Sequence, residues 1–97
     1  MDEAAVLQQL KKLHREIEAD AGKDPSVVND DVLPLDGLGG FDSVLIPNII
    51  RGLAREMKVS LQKGVRLRNP YIDSNKKKLK LRDVAKRFCE LYGGKAK

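Results

Sequence analysis

The sequence predicts an all-α fold: a small bundle of three to four helices with a long loop between the first two. Three stretches repeat apolar residues at the period of an α-helix, and each such stripe needs a neighbour to cover it. Residues 23–42, between the first two stripes, are dense in Gly, Pro, Asn and Asp yet carry seven large apolar side chains. A third observation weighs against a sheet. Val59, Leu61, Val65 and Leu67 alternate as a strand would, but no second convincing strand exists to pair with them.

The first helix is expected over about residues 3–21. Val6, Leu10, Leu13 and Ile17 form its stripe, widened by Leu7 and Ala21, with Asp2 and Glu3 at the positive end of its dipole and Gly22 as its stop. His14 reads as a surface or boundary side chain of this helix, with no second ligand nearby to make it a metal site. In the loop, Asp24-Pro25-Ser26 opens a short helical turn, and Asn29-Asp30-Asp31, Pro34 and Gly37 to Gly40 supply turn chemistry. Val27, Val28, Val32, Leu33, Leu35, Leu38 and Phe41 are expected to anchor it across the helices.

The second helix is expected to start near Ser43 and run to about Met57 or Lys58. Its buried face is Ile46, Ile49, Ile50, Leu53, Ala54 and Met57. Asp42 or Ser43 caps its first turn, and Pro47 is tolerated only near such a start. Gly52 suggests a close approach by another element. In residues 59–80, Asn69-Pro70 marks a turn and Tyr71-Ile72 a short helical turn. The last helix is expected from about Leu81 to Tyr92, with the stripe Leu81, Val84, Ala85, Phe88 and Leu91, a stop at Gly93-Gly94 and a frayed tail over 93–97. The whole reads as one domain, 1–97.

With 41% apolar and 34% charged residues the chain has the balance of a soluble globule, and with 4% aromatics its core must be aliphatic. No membrane-length apolar run and no signal-peptide pattern is present, so a cytoplasmic protein without membrane insertion is expected. The net charge of +5 is uneven: residues 1–43 hold ten acids and four bases, residues 44–97 four acids and fifteen bases. Enzymatic constellations are nearly absent. One His and one Cys leave no nucleophile pair or metal cluster, Cys89 reads as an inert half-buried thiol, and Gly37 to Gly40 lack the Lys-Ser/Thr of a phosphate loop. A non-enzymatic protein is expected.

The stretch that stands out is Leu35 to Leu53, LDGLGGFDSVLIPNIIRGL, where a glycine-rich approach delivers Asp42-Ser43 to a helix start. Capping chemistry alone makes that pair structural. In its surroundings, DPSVVNDDVLPLDGLGGFDSV, then EMKVSL, then LRDVAKRF, the chain resembles the carrier-protein family of acyl carrier proteins and peptidyl or aminoacyl carrier domains. The resemblance covers residues 3 to 92 apart from 62–80 and lies in the order and spacing of its motifs. It implies that Ser43, within the attachment motif begun by Asp42, is esterified by 4′-phosphopantetheine from coenzyme A through a phosphopantetheinyl transferase. The arm's thiol then carries an acyl or aminoacyl group as a thioester between loading and transferring enzymes. It further implies a monomer whose apolar faces, led by Ile49, Leu53, Val84 and Phe88, shelter acyl cargo.

One departure from the family is informative. Typical acyl carriers present carboxylates on the second helix, where this chain has Leu45, Asn48, Ala54 and Arg55, with Arg51 and Lys58 nearby and Glu56 the single acid. Docking through an apolar and basic surface of Val44, Leu45, Asn48, Arg51 and Arg55 to dedicated partners of a specialised lipid or secondary-metabolite pathway is therefore expected. Two alternatives stand beside this reading. One is a small basic helical module binding nucleic acid or an anionic surface through Arg51, Arg55, Arg66, Arg68, Lys76, Lys77 and Lys78; it lacks stacking aromatics and a recognition helix, so no nucleic-acid partner is expected. The other is a carrier-like interaction domain without a prosthetic group.

Overall fold

A computed structural model describes residues 2–59 and 68–93. Four α-helices account for the packing: α1 (Glu3–Asp20), the one-turn α2 (Pro34–Gly37), α3 (Ile46–Glu56) and α4 (Leu81–Phe88). This is a small all-α bundle, and among the described residues the only extended pairing is a single antiparallel bridge between Ile72 and Lys78. The proposed alternation at Leu61, Val65 and Leu67, Arg66 and the tail beyond Gly93 lie outside the described residues.

Helix α1 begins where Asp2 accepts the Ala4 amide at 3.0 Å. It ends in a Schellman turn, with Lys23 N–H donating to Glu18 C=O and Gly22 N–H to Ala19 C=O, and Gly22 takes the φ of +77° that this turn requires. Its innermost line is Val6, Leu10, His14 and Glu18, all with no exposed surface. The expected stripe is thus rotated by one position after Leu10: Leu13 and Ile17 are half-buried, Ala21 is exposed, and His14 is a core residue rather than a surface one.

The long loop packs as anticipated, with Val28, Leu38 and Phe41 in the core and Val27 alone of its large apolar residues classed as exposed. The turn at Pro25–Val27 forms under an Asp24 cap. Pro34 to Gly37, expected as a plain turn, closes into α2, because proline favours a first helical position and the Leu33 carbonyl accepts from both Asp36 and Gly37. The loop also completes α4. That helix has no side-chain cap; its first amides, Leu81 and Arg82, donate instead to the carbonyls of Val32 and Asp30 at 2.8 and 2.9 Å. The aspartates around this junction are paired: Asp30 with Lys11, Asp31 with Arg82 and Asp36 with Lys78.

Helix α3 starts three residues later than expected. A 3₁₀ turn over Ser43–Leu45 precedes it, and Pro47 falls in its first turn, where a missing amide costs little. Ile46, Ile49, Ile50, Leu53 and Ala54 are buried, and a second Schellman turn closes the helix with Lys58 at φ +58°. Gly52 makes no tight approach: a Cβ there would lie 3.8 Å from Leu13 Cδ1, an ordinary contact. Tyr71 and Ile72 form no helical turn. Tyr71 is fully buried behind Pro70, and Ile72 opens a hook that Asp73 holds by accepting the amides of Asn75 and Lys77. Helix α4 is shorter than expected; past Phe88 the chain widens into a π-helical turn, Cys89–Gly93, which brings Cys89 and Tyr92 against the core.

Gly40 is the glycine the fold needs. A Cβ at Gly40 would lie 2.8 Å from Ala21 Cβ and 3.0 Å from Glu18 Oε2. Gly40→Ala is expected to destabilise by about 1–3 kcal/mol, the usual range for overpacking. Gly52→Ala should instead stabilise by about 0.5–1 kcal/mol, since alanine is the better helix former and its methyl has room. Urea midpoints of the two variants, moving in opposite directions, check both.

Candidate functional site

Ser43 lies exposed at the first position of the 3₁₀ turn that leads into α3. The residue before it does the capping. Asp42 is extended (φ −136°, ψ 151°), and its Oδ1 accepts the Val44 amide at 3.2 Å while its carbonyl accepts the Leu45 amide at 2.9 Å. The Ser43 hydroxyl donates to the same Asp42 Oδ1 at 3.3 Å. That bond is exposed and long, so it orients the hydroxyl without closing it off. Beside it Val44 is 73% exposed, an unusual position for a large apolar side chain.

The face that continues from Ser43 along α3 gathers most of the expected docking residues. Asn48, Arg51 and Arg55 are exposed and follow Val44 at steps of four, three and four, one surface of a helix. Leu45 departs from this set: it is half-buried and packs against the core. Ile49, Leu53, Val84 and Phe88 all sit in the core, at 3% exposure or less. Of the basic residues further along, Lys78 is paired with Asp36 at 2.5 Å, and Arg68, Lys76 and Lys77 are exposed.

Beneath the loop lies a polar cluster that the sequence reading missed. The Gly40 amide donates to both oxygens of the buried Glu18 carboxylate, at 2.9 and 3.1 Å. One turn earlier on α1, His14 Nε2 lies 2.7 Å from the Tyr71 hydroxyl. Phe41 completes the group: its ring centroid is 4.6 Å from His14, edge-on, and 5.0 Å from Tyr71. Ser43 is therefore presented by a loop gripped just upstream at two adjacent residues, the Gly40 amide and the Phe41 ring. The available signal was spacing: His14 and Glu18 continue the Val6–Leu10 step of four, which places them on the innermost line.

No family model matches the chain, and neither a curated protein nor a solved structure does. The chemistry of the region rests on its own geometry. Among the described residues no three His, Cys, Asp or Glu side chains are grouped to hold a metal ion, and no helix is long and apolar enough to cross a membrane. Cys89 is half-buried and burial, reinforced by Glu3, pushes its thiol pKa up, away from the thiolate. The Ser43 hydroxyl, by contrast, is exposed to solvent.

Burial holds the His14 pKa down, from 6.5 to about 4. The folded state thus takes up this proton less readily than the unfolded chain. Stability is full above pH 6.5 and falls as the pH is lowered towards 4, by at most about 1.4 kcal/mol per pH unit. The hydrogen-bonded Asp24 and Asp73 titrate below 3.8, outside this window. Urea unfolding at pH 7, 5.5 and 4.5 should show the loss, and His14→Gln should flatten it.

Proposed function

We propose that this protein is a carrier: Ser43 bears a 4′-phosphopantetheine arm, and the arm's thiol holds an acyl or aminoacyl group as a thioester for dedicated partner enzymes. The single observation that carries this reading is the presentation of Ser43. An exposed primary hydroxyl stands at the entry to a helix, on a loop clamped at Gly40 and Phe41, with an exposed apolar neighbour in Val44. Such a hydroxyl is open to a modifying enzyme, and among the described residues no hydrogen bond other than the long one to Asp42 restrains it. The group itself supplies the thiol chemistry when attached. The chain's residues do the remainder: Asp42 accepts the hydroxyl hydrogen and holds the turn by accepting the Val44 and Leu45 amides. The protein offers a handle, and its partners perform the reactions.

The second layer of the proposal concerns those partners. Val44, Asn48, Arg51 and Arg55 form an apolar and basic face continuous with Ser43, and Arg51 and Arg55 have no ion-pair partner among the described residues. A partner with a basic docking surface meets like charge there, which slows association and weakens binding. The fitting partners are dedicated loading and transferring enzymes of a specialised lipid or secondary-metabolite pathway, acting on a monomeric cytoplasmic carrier.

Intact mass after incubation with coenzyme A and a broad-specificity phosphopantetheinyl transferase tests the first layer. A gain of one phosphopantetheine in the wild type, absent in Ser43→Ala, is the expected result. No gain with several transferases removes the reading and leaves an interaction domain without a prosthetic group. A salt-dependent nucleic-acid shift under the same conditions points instead to the basic-module alternative. For the second layer, Asn48→Glu and Arg55→Glu are expected to lower, not raise, the rate of loading by the protein's own partner enzyme. A faster rate defeats the dedicated-partner idea.

A further inference from the structure

Helix α3 has two unlike sides. Its inward side, Ile46, Ile49, Ile50 and Leu53, is spent in the core. Its outward side is a single row: Val44 just before the helix, Asn48, Arg51 and Arg55 on it, and Lys58 in the closing turn. All five are exposed, at steps of four, three, four and three residues. Such steps keep a row on one side of a helix over two turns. The charges of this row stand apart from those around it. Arg15 donates to the Val28 carbonyl, Arg82 pairs with Asp31 and Arg87 with Glu90. Among the described residues no carboxylate pairs with Arg51 or Arg55. Asp42, at the head of the row, is engaged by the Val44 amide and the Ser43 hydroxyl. Glu56 stands about 100° round the helix from Arg55. At the Ser43 end of the same row, Val44 leaves 73% of its surface in water.

We propose that this row docks a protein that presents carboxylates, seated along α3 with an apolar recess at the Val44 end. Charge complementarity names the chemistry. A planar guanidinium donates two parallel hydrogen bonds to a carboxylate, and two arginines one turn apart match two carboxylates one turn apart on a facing helix. Asn48, between Val44 and Arg51, both donates and accepts, so it joins the apolar end of the row to the charged one. Val44 separates a folded protein from other anionic surfaces. Covering it removes apolar area from water, which a line of nucleic-acid phosphates does not do. A lipid surface takes a helix by a broad apolar face, and the apolar face of α3 is buried in the core. The row starts beside Ser43, so a partner seated on it lies next to that hydroxyl. The inference rests on the docking face of the carrier reading and not on the arm. Modification of Ser43 is read by mass and docking by chemical shift, so either can fail without the other.

Two synthetic peptides of one composition test it, by nuclear magnetic resonance on the full chain. In the first, glutamates recur at three- and four-residue steps on one face of a helix that ends in leucine. In the second, the same residues are dealt around the helix. The first peptide is expected to move the Val44, Asn48, Arg51 and Arg55 amides saturably and to leave Lys76, Lys77 and Lys86 in place; the second should bind more weakly. Replacing both arginines, Arg51→Gln with Arg55→Gln, should weaken binding about tenfold, a factor of about three for each exposed pair. Added salt should weaken binding to the wild type and have little further effect on that variant. Val44→Ser should weaken binding about fivefold. All three side chains are exposed, and unmoved Val84 and Ala85 signals verify that the fold is kept. Equal binding of the two peptides, or shifts centred on Lys76 and Lys77, means that bulk positive charge is at work and overturns the proposal. The absence of saturable binding overturns it as well. A tighter response of the same row to phosphatidylglycerol vesicles or to a DNA duplex assigns it to a lipid or nucleic-acid surface, and the protein partner is then wrong.

Discussion

A carboxylate sealed from water holds this structure's most exposed region in place. Glu18 has no accessible surface, and a buried carboxylate is tolerated only when hydrogen-bonded. Among the described residues its hydrogen-bond partner is one backbone amide, that of Gly40, and the contact leaves no room for a Cβ. Three features follow from this constraint. Residue 40 must be glycine, the loop must cross α1 at that point, and Phe41 must turn inward onto His14 and Tyr71. Asp42 and Ser43 emerge at the surface because the residues before them are so firmly spent inside.

The lopsided charge of the chain also finds its place. The first half is acidic and the second basic, and the two meet at one seam, where Asp31 and Asp36 face Arg82 and Lys78, while Asp30 beside them pairs with Lys11 of its own half. Exposed pairs of this kind are worth only about 0–1 kcal/mol each, so they help fix the register of the loop more than they stabilise the fold. Neutralising this seam leaves Arg51 and Arg55 on α3 as basic residues with no such pairing among the described residues. The electrostatic character of the Ser43 face is thus set by what is left over elsewhere.

The three long helices were legible because each carries its own period: Leu81, Val84, Ala85 and Phe88 need no knowledge of the rest of the fold to be read as a stripe. The exposed start at Ser43 was legible from Asp42 and Pro47, whose roles are local. His14, Glu18 and Tyr71 were not. A histidine or glutamate on an amphipathic helix is ordinarily assigned to water, and only a partner 57 residues away, or a glycine amide 22 residues away, makes the interior acceptable. Helix ends were misjudged for a related reason. The 3₁₀ entry before α3 and the wide turn after Phe88 are choices between hydrogen-bond patterns of nearly equal local cost, decided by packing against the core.

The start of α4 has a consequence for how the chain reaches this state. An eight-residue helix is too short to persist in water, and here the carbonyls that satisfy its first amides belong to Val32 and Asp30, some fifty positions earlier. The two segments therefore cannot be acquired separately. Closing the chain between them must come before α4 is complete, which gives a mostly helical domain the long-range entropic barrier usually met in sheet proteins. Substitutions at Val32 or Leu81 are thus placed to alter the speed of folding, and the early loop and the last helix to form one cooperative unit.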